Sequence, residues 1–348
     1  MEVKDFLIKL CDSPHVSGYE RAAAEIVAGA FGEYLPDVYA DKLGNVIGVK
    51  KGAGKCRLMF AAHMDEIGLM VADIGERGFV KFTTIGGFDE RVFPAREVTI
   101  HGKEKVFGVI GVKPPHLTPP DGAKNAFKAE DLCIDTGYSR EKLAELIGIG
   151  DIITINAETA ELKNNFLSGK SMDDCVGVAV LLSVIKHLKY VKHDADVYFV
   201  ATVQEEVGIR GAATSAYAIE PDVAIAIDCG FAKTPELDEI KTVEPGNGPA
   251  IAIGPGIHPG VYELLKKTAR AASLKTQVEV IVSRTGTDTD NMQISNTGVA
   301  TCVISVPVKY MHTPVETVML DDIDTTGRLL AEFAAAFNET GLEDALCL

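Results

Sequence analysis

Residues 57–68 read RLMFAAHMDEIG, an apolar run that stops on a histidine and two acids. Side chains along a strand alternate between its two faces. A run that stays apolar from Leu58 to Ala62 therefore reads as a strand covered on both faces, as in a buried parallel sheet. Polar residues arrive only where the run ends, at His63, Asp65 and Glu66. Four other segments repeat this arrangement. VQEEVG (203–208) follows the strand-like ADVYFVATV (195–203) and sets Glu205 beside Glu206. GKSMDDCVG (169–177) places Asp173 and Asp174 at a helix start. AIAIDCG (224–230) ends a strand with Asp228, and VKYMHTPVE (308–316) puts His312 in a loop after a strand.

Outward from these segments, the chain reads as α/β at both ends and β in between. VKDFLIKLCD spaces Phe6, Leu7 and Leu10 on one helical face, and SGYE (17–20) fits a capping box at the start of a second helix. NVIGV (45–49) predicts a strand before 57–62. From Ile67 to Leu162 the texture changes to short alternating strands, FVKFTTI (79–85), REVTIHG (96–102), KVFGVIGV (105–112) and DIITINA (151–157), as in a small β-barrel or PDZ-like unit. Within it, KPPHLTPPDGAKNAFKAED (113–131) reads as a long mobile loop, of a length that is usually functional or disordered. After Lys163 the α/β rhythm returns. Helices are predicted near 174–190, 260–273 and 323–338, with strands at 195–203, 222–228 and 298–305. The architecture predicted is a mainly parallel sheet flanked by helices over 1–66 and 163–348, with a β-rich insertion at 67–162.

Composition narrows the function classes. The 348 residues carry 34 Lys and Arg against 50 Asp and Glu, a formal charge of −16. Such a surface repels phosphate backbones, which argues against nucleic acid as a partner. The longest apolar run, Val176–Ile185, is too short to cross a bilayer, and the charged MEVKDFLIKL start lacks a secretory core, so a cytoplasmic protein is expected. The 7 cysteines form no CxxC and sit mostly in apolar runs, which predicts buried thiols.

In open α/β sheets, ligands bind at the carboxyl ends of the strands. Each polar residue named above also has an ordinary reading. Asp173 and Asp174 could cap a helix, Asp228 could serve a turn, and His63 or His312 could be a satisfied core histidine. Five segments delivering acids and imidazoles to equivalent places point instead to one shared cause. A set of histidines and carboxylates without thiolates suits a divalent metal such as zinc, cobalt or manganese, and this many carboxylates suits two ions.

HMDEIG, DD before a helix, QEEVG, IDCG and YMHTPVE, in this order and with IGGFDERVFPAR at 85–96, resemble the di-metal aminopeptidases of the tetrahedral, or TET, glutamyl-aminopeptidase family. The likeness covers nearly the whole chain. It implies that His63 and Asp228 bind one metal, Glu206 and His312 the other, and that Asp173 bridges them. It further implies that Asp65 orients the His63 imidazole and that Glu205 is the general base and acid. A hydroxide shared by the two metals would then attack the scissile carbonyl. Thr287 and Asp288, in TGTDTD (285–290), become possible substrate contacts. The β insertion would join subunits into dimers and a dodecamer, and the 113–131 loop would reach towards a neighbour's site. The family's basic residue after the acid pair is replaced here by Cys175. Paired acids would also serve a glycoside hydrolase. The absence of tryptophan and the two histidines argue against that alternative.

Overall fold

The computed structural model describes residues 1–113, 128–235, 237 and 242–346. The expected 113–131 loop thus lies mostly outside the described residues. Its described end, Ala129–Asp131, is a short 3-10 turn.

One sheet of eleven strands carries the α/β part. Its main path runs β1 (Asp37–Ala40), β2 (Val46–Lys50), β12 (Asp196–Thr202), β3 (Arg57–His63), β13 (Val223–Phe231), β16 (Ala300–Lys309), β17 (Glu316–Met319), β11 (Phe166–Gly169) and β10 (Ala160–Glu161). A branch adds β14 (Ala250–Ile253) beside β16, and β15 (Gln277–Val280) beside β14 alone. Parallel pairing joins β12, β3, β13 and β16 at the centre, and also β14 with β15. The other pairs are antiparallel. The expected mainly parallel sheet is therefore corrected to a mixed one with a parallel heart. Strands joined through helical crossovers pair in parallel, and the outer strands arrive by other routes.

The β3 register explains its apolar run. Leu58, Phe60 and Ala62 pack into one core with α1 (Val3–Cys11), α2 (Arg21–Gly32), α4 (Met172–Leu188), α6 (Pro259–Ala271) and α8 (Leu320–Ala336). Met59 and Ala61 pack into a second core under α5 (Arg210–Ile219) and α7 (Thr289–Met292). Burying a side chain such as Phe60 contributes about 1.5–3 kcal/mol. The helix predicted as the last is followed by α9 (Glu339–Leu346).

The second sheet is a closed barrel in the order β4 (Gly68–Ile74), β5 (Val80–Ile85), β8 (Cys133–Asp135), β7 (Lys105–Gly111), β6 (Glu97–His101) and β9 (Ile152–Ile155). Along β7 buried and exposed residues alternate strictly, which is why its period was legible. The barrel core includes Phe82 and Phe93, edge to face at 5.7 Å, and α3 (Arg140–Leu146) adds Leu143. Ala160–Glu161, expected with the insertion, instead pairs into the large sheet.

Among the described residues no helix is long and apolar enough to cross a membrane. The six described cysteines are free thiols.

Candidate active site

The central parallel strands deliver their polar ends to one place. Thr202 and His63 are register partners where β12 and β3 stop. Asp228 lies on β13 opposite Ser305 of β16. His312 follows β16, and Asp173 opens α4. A cleft of about 260 Å³ is lined by His63, Asp173, Glu205, Glu206, Asp228 and His312.

Asp173 lies between the histidines. Its Oδ1 is 3.3 Å from His63 Nε2, and its Oδ2 is 3.3 Å from His312 Nε2. His312 Nε2 also lies 3.3 Å from Glu206 Oε1. Among the described residues, three sets of ligand atoms within 4.8 Å of one another result: His63 with Asp174 and Asp228, Asp173 with Glu206 and His312, and Asp173 with Asp174 and Cys229. The acid pair divides its work. Asp174 Oδ1 accepts from Gly177 N at 2.9 Å, the ordinary helix cap, while Asp173 faces the imidazoles. Both residues depart from helical torsions, so the regular helix begins after them.

The supporting contacts fix these positions. The Asp65 main-chain carbonyl accepts from His63 Nδ1 at 3.0 Å, which leaves Nε2 for the cleft. The expectation that Asp65 orients His63 thus falls on its backbone oxygen. Its carboxylate lies farther from that nitrogen, with Oδ1 at 3.6 Å, and makes further contacts. Oδ1 accepts from Glu205 N at 2.9 Å, and Oδ2 accepts from Glu206 N at 3.2 Å and from Ser17 Oγ at 2.6 Å. This draws Ser17 away from the capping box expected of it, and α2 starts without a side-chain cap. Glu316, which ends the VKYMHTPVE segment, is a functional residue that the sequence pattern does not mark. Its carboxylate accepts from Asp173 N at 2.9 Å and His312 N at 2.6 Å, pinning two cleft residues at once. A buried carboxylate that accepts only from backbone has no sequence signature beyond its type. The barrel closes one side. Gly87 approaches the His312 ring so nearly that a Cβ would lie 3.4 Å from Nδ1. Gly86, at φ +77°, makes the turn a side chain would strain.

Cys175 faces away from the cleft, with His15 Nε2 3.4 Å from its sulfur. Thr287 lines the cleft. Asp288 does not; it is buried beneath, accepting from Thr202 Oγ1 at 2.6 Å. It is set to support the site rather than touch a substrate.

The electrostatics are those of crowded buried acids. Burial pushes the Glu205 carboxyl up to about 10, with His63 opposing and Asp228, Asp288 and Glu206 adding to the rise. Asp228 is likewise raised, by burial and by Asp173. Burial also acts to raise Asp173, but the two imidazoles hold it well below the usual range. His312 is raised to about 11 by its contacts to Asp173 and Glu206. Buried charge of one sign needs cations. Among the described residues Asp174 Oδ2 is buried without a hydrogen-bond partner, and Asp173 Oδ1 has only the His63 ring nitrogen 3.3 Å away. Carboxylate oxygens so placed beside two outward imidazole nitrogens fit divalent metal ions.

Comparison with known proteins agrees with this geometry. The family model of the M42 glutamyl aminopeptidases matches residues 44–329. The chain is 37% identical over 333 residues to a lysyl aminopeptidase of Pyrococcus furiosus, covering 93% of this chain and 94% of that protein. Its fold matches an aminopeptidase of the archaeon Desulfurococcus kamchatkensis at a TM-score of 0.93 and 36% identity, over 99% and 98% of the two chains. It also matches the TET1 peptidase of Pyrococcus horikoshii at a TM-score of 0.85 and 31% identity, over 97% and 100%. Fold, residue order and carboxylate–histidine cleft converge on one conclusion: the chain belongs to the M42 family of metal-dependent aminopeptidases and is a peptide hydrolase of the TET type.

Proposed function

We propose that this aminopeptidase removes N-terminal residues from peptides with two divalent ions, zinc or cobalt, with manganese as a further candidate. His63 and Asp228 would hold one ion, Glu206 and His312 the other, and Asp173 both. The observation that carries the reading is the Asp173 carboxylate, whose two oxygens lie 3.3 Å from the two histidines' Nε2 atoms. The ions, when bound, supply Lewis acidity and make water acidic enough to react near neutral pH.

The rest falls to the chain. Glu205 lines the cleft beside these groups and is the member of the acid pair without a contact to His312. It takes a proton from the attacking water and returns it to the departing amine nitrogen. Asp65, through the Glu205 and Glu206 N–H groups, keeps the base and its neighbour at fixed spacing. The free α-amino group of the peptide is cationic, and the acidic cleft suits it. The glycoside hydrolase alternative gives His63 and His312 no task, and the family argues against it.

Residues 1–66 and 163–348 would form the catalytic part, with β10 as the boundary correction, and 67–162 the part that joins subunits. Exposed Phe79, Phe107, Val109 and Val112 on the barrel support an assembly role. The P. horikoshii relative assembles into a tetrahedron or a large octahedral shell, and a tetrahedral dodecamer in the cytoplasm is proposed here. The test is metal removal. EDTA is expected to abolish hydrolysis of aminoacyl p-nitroanilides, and added Zn²⁺ or Co²⁺ to restore it. Undiminished hydrolysis by metal-free protein would refute the mechanism.

A further inference from the structure

The cleft holds one acid that neither the metal set nor the base accounts for. Glu279 sits on β15, where half-buried and exposed residues alternate through Gln277, Val278, Glu279 and Val280. The period of two turns Glu279, and Ile281 after it, towards the cleft they both line. Its Oε2 accepts from Ser305 Oγ at 2.5 Å. Ser305 is the register partner of Asp228, so it stands about 5 Å along the sheet from that residue. Glu279 is therefore tethered one side chain beyond the proposed metal ligands.

Its surroundings are not those of a structural ion pair. Among the described residues, no Lys or Arg lines this cleft, and no cation lies within ion-pair distance of Glu279. Among the described residues its carboxylate is hydrogen-bonded to Ser305 alone. The neighbouring wall is apolar, with Ile281, Val303 and Met311. Gly230 opens the space beside Ser305, since a Cβ there would come within 2.8 Å of the serine Cβ.

We propose that Glu279 selects peptides whose N-terminal side chain is a long aliphatic stem ending in a cation, lysine or arginine. The stem lies along Ile281, Val303 and Met311, and the terminal ammonium or guanidinium meets the carboxylate that Ser305 holds in place. An acidic side chain is repelled, and a short or purely aliphatic one leaves Glu279 unpaired. This inference rests on the aminopeptidase reading and deepens it by naming the substrate class.

The experiment compares lysyl, arginyl, norleucyl, leucyl and glutamyl p-nitroanilides with Co²⁺-loaded full-length protein, wild type and Glu279→Gln. Norleucine has the lysine stem without its ammonium, so the lysyl-to-norleucyl ratio of kcat/KM isolates the charge. That ratio is expected to favour lysine in the wild type and to fall by about 10–100-fold in the variant, the worth of one charge-assisted hydrogen bond. Calorimetric binding of free lysine and norleucine is expected to show the same loss of discrimination. A wild type that prefers leucyl or glutamyl substrates would overturn the proposal, as would a ratio and a binding difference unchanged by Glu279→Gln. Turnover of no substrate at all would instead refute the aminopeptidase mechanism on which it rests.

Discussion

His15 makes the fold sensitive to acid in a way the structure quantifies. The residue is fully buried. Its Nδ1 lies 2.8 Å from the Ser13 carbonyl, which can only accept, so Nδ1 carries the proton. Nε2 then presents its lone pair to the Cys175 thiol at 3.4 Å. Burial brings the imidazole down to about 4, with Glu66 opposing and Lys170 assisting. Because the folded value lies below the unfolded one, this contribution is complete above pH 6.5 and disappears as pH falls towards 4. At about 1.4 kcal/mol per pH unit, the whole effect is roughly 3 kcal/mol, and roughly 2 kcal/mol of it is lost by pH 5. His15→Asn can keep a donor for Ser13 and cannot titrate. Urea unfolding of both proteins at equal concentration, with EDTA, at pH 7 and pH 5 gives the comparison. The stability advantage of the wild type over the variant is expected to shrink by roughly 2 kcal/mol at the lower pH. An advantage constant to within about 0.5 kcal/mol would refute the claim that His15 must stay neutral.

The adjacent glutamates give a sharper contrast. Glu205→Gln is expected to keep metal, measured by equilibrium dialysis, and to lose about 10²–10⁴-fold in kcat; full activity would remove Glu205 as the base. Glu206→Gln is expected to weaken metal retention, and unchanged retention would remove it from the ligand set. Purified protein is expected to elute far above the size of its 37.2 kDa chain in light-scattering chromatography, with Phe107→Asp shifting it towards smaller species. A monodisperse monomer of the unaltered chain would end the assembly reading.

Much of the site was legible because its residues interrupt apolar strands. His63, Asp173, Glu205, Glu206, Asp228 and His312 each follow or precede a run whose burial on two faces leaves no other place for a charge. Ser17 was misread because Ser-x-x-Glu is a local pattern, and the hydroxyl found a partner 48 positions away in Asp65. The expectation that Asp65 orients His63 names no oxygen, since no spacing separates a backbone carbonyl, here 3.0 Å from Nδ1, from a carboxylate, here at 3.6 Å. Glu279 was invisible: QVEV is a four-residue edge strand without an apolar block, and only its pairing with β14 turns the acid inwards. The antiparallel flanks escaped for a similar reason. Short strands such as Asp37–Ala40 and Ala160–Glu161 are mostly exposed and carry almost no hydrophobic period.

The position of β15 has a consequence for how such a protein changes over generations. β15 hydrogen-bonds to one neighbouring strand, whereas Asp65 binds the backbone of both glutamates while its own carbonyl holds the histidine. A substitution at Asp65 releases the backbone N–H groups of the base and of Glu206 together. A substitution at Glu279 disturbs one hydrogen bond at the margin of the sheet. The chemistry is thus locked by shared contacts while the choice of substrate hangs on a replaceable part, so related chains can trade one preferred residue for another without rebuilding the engine that cuts.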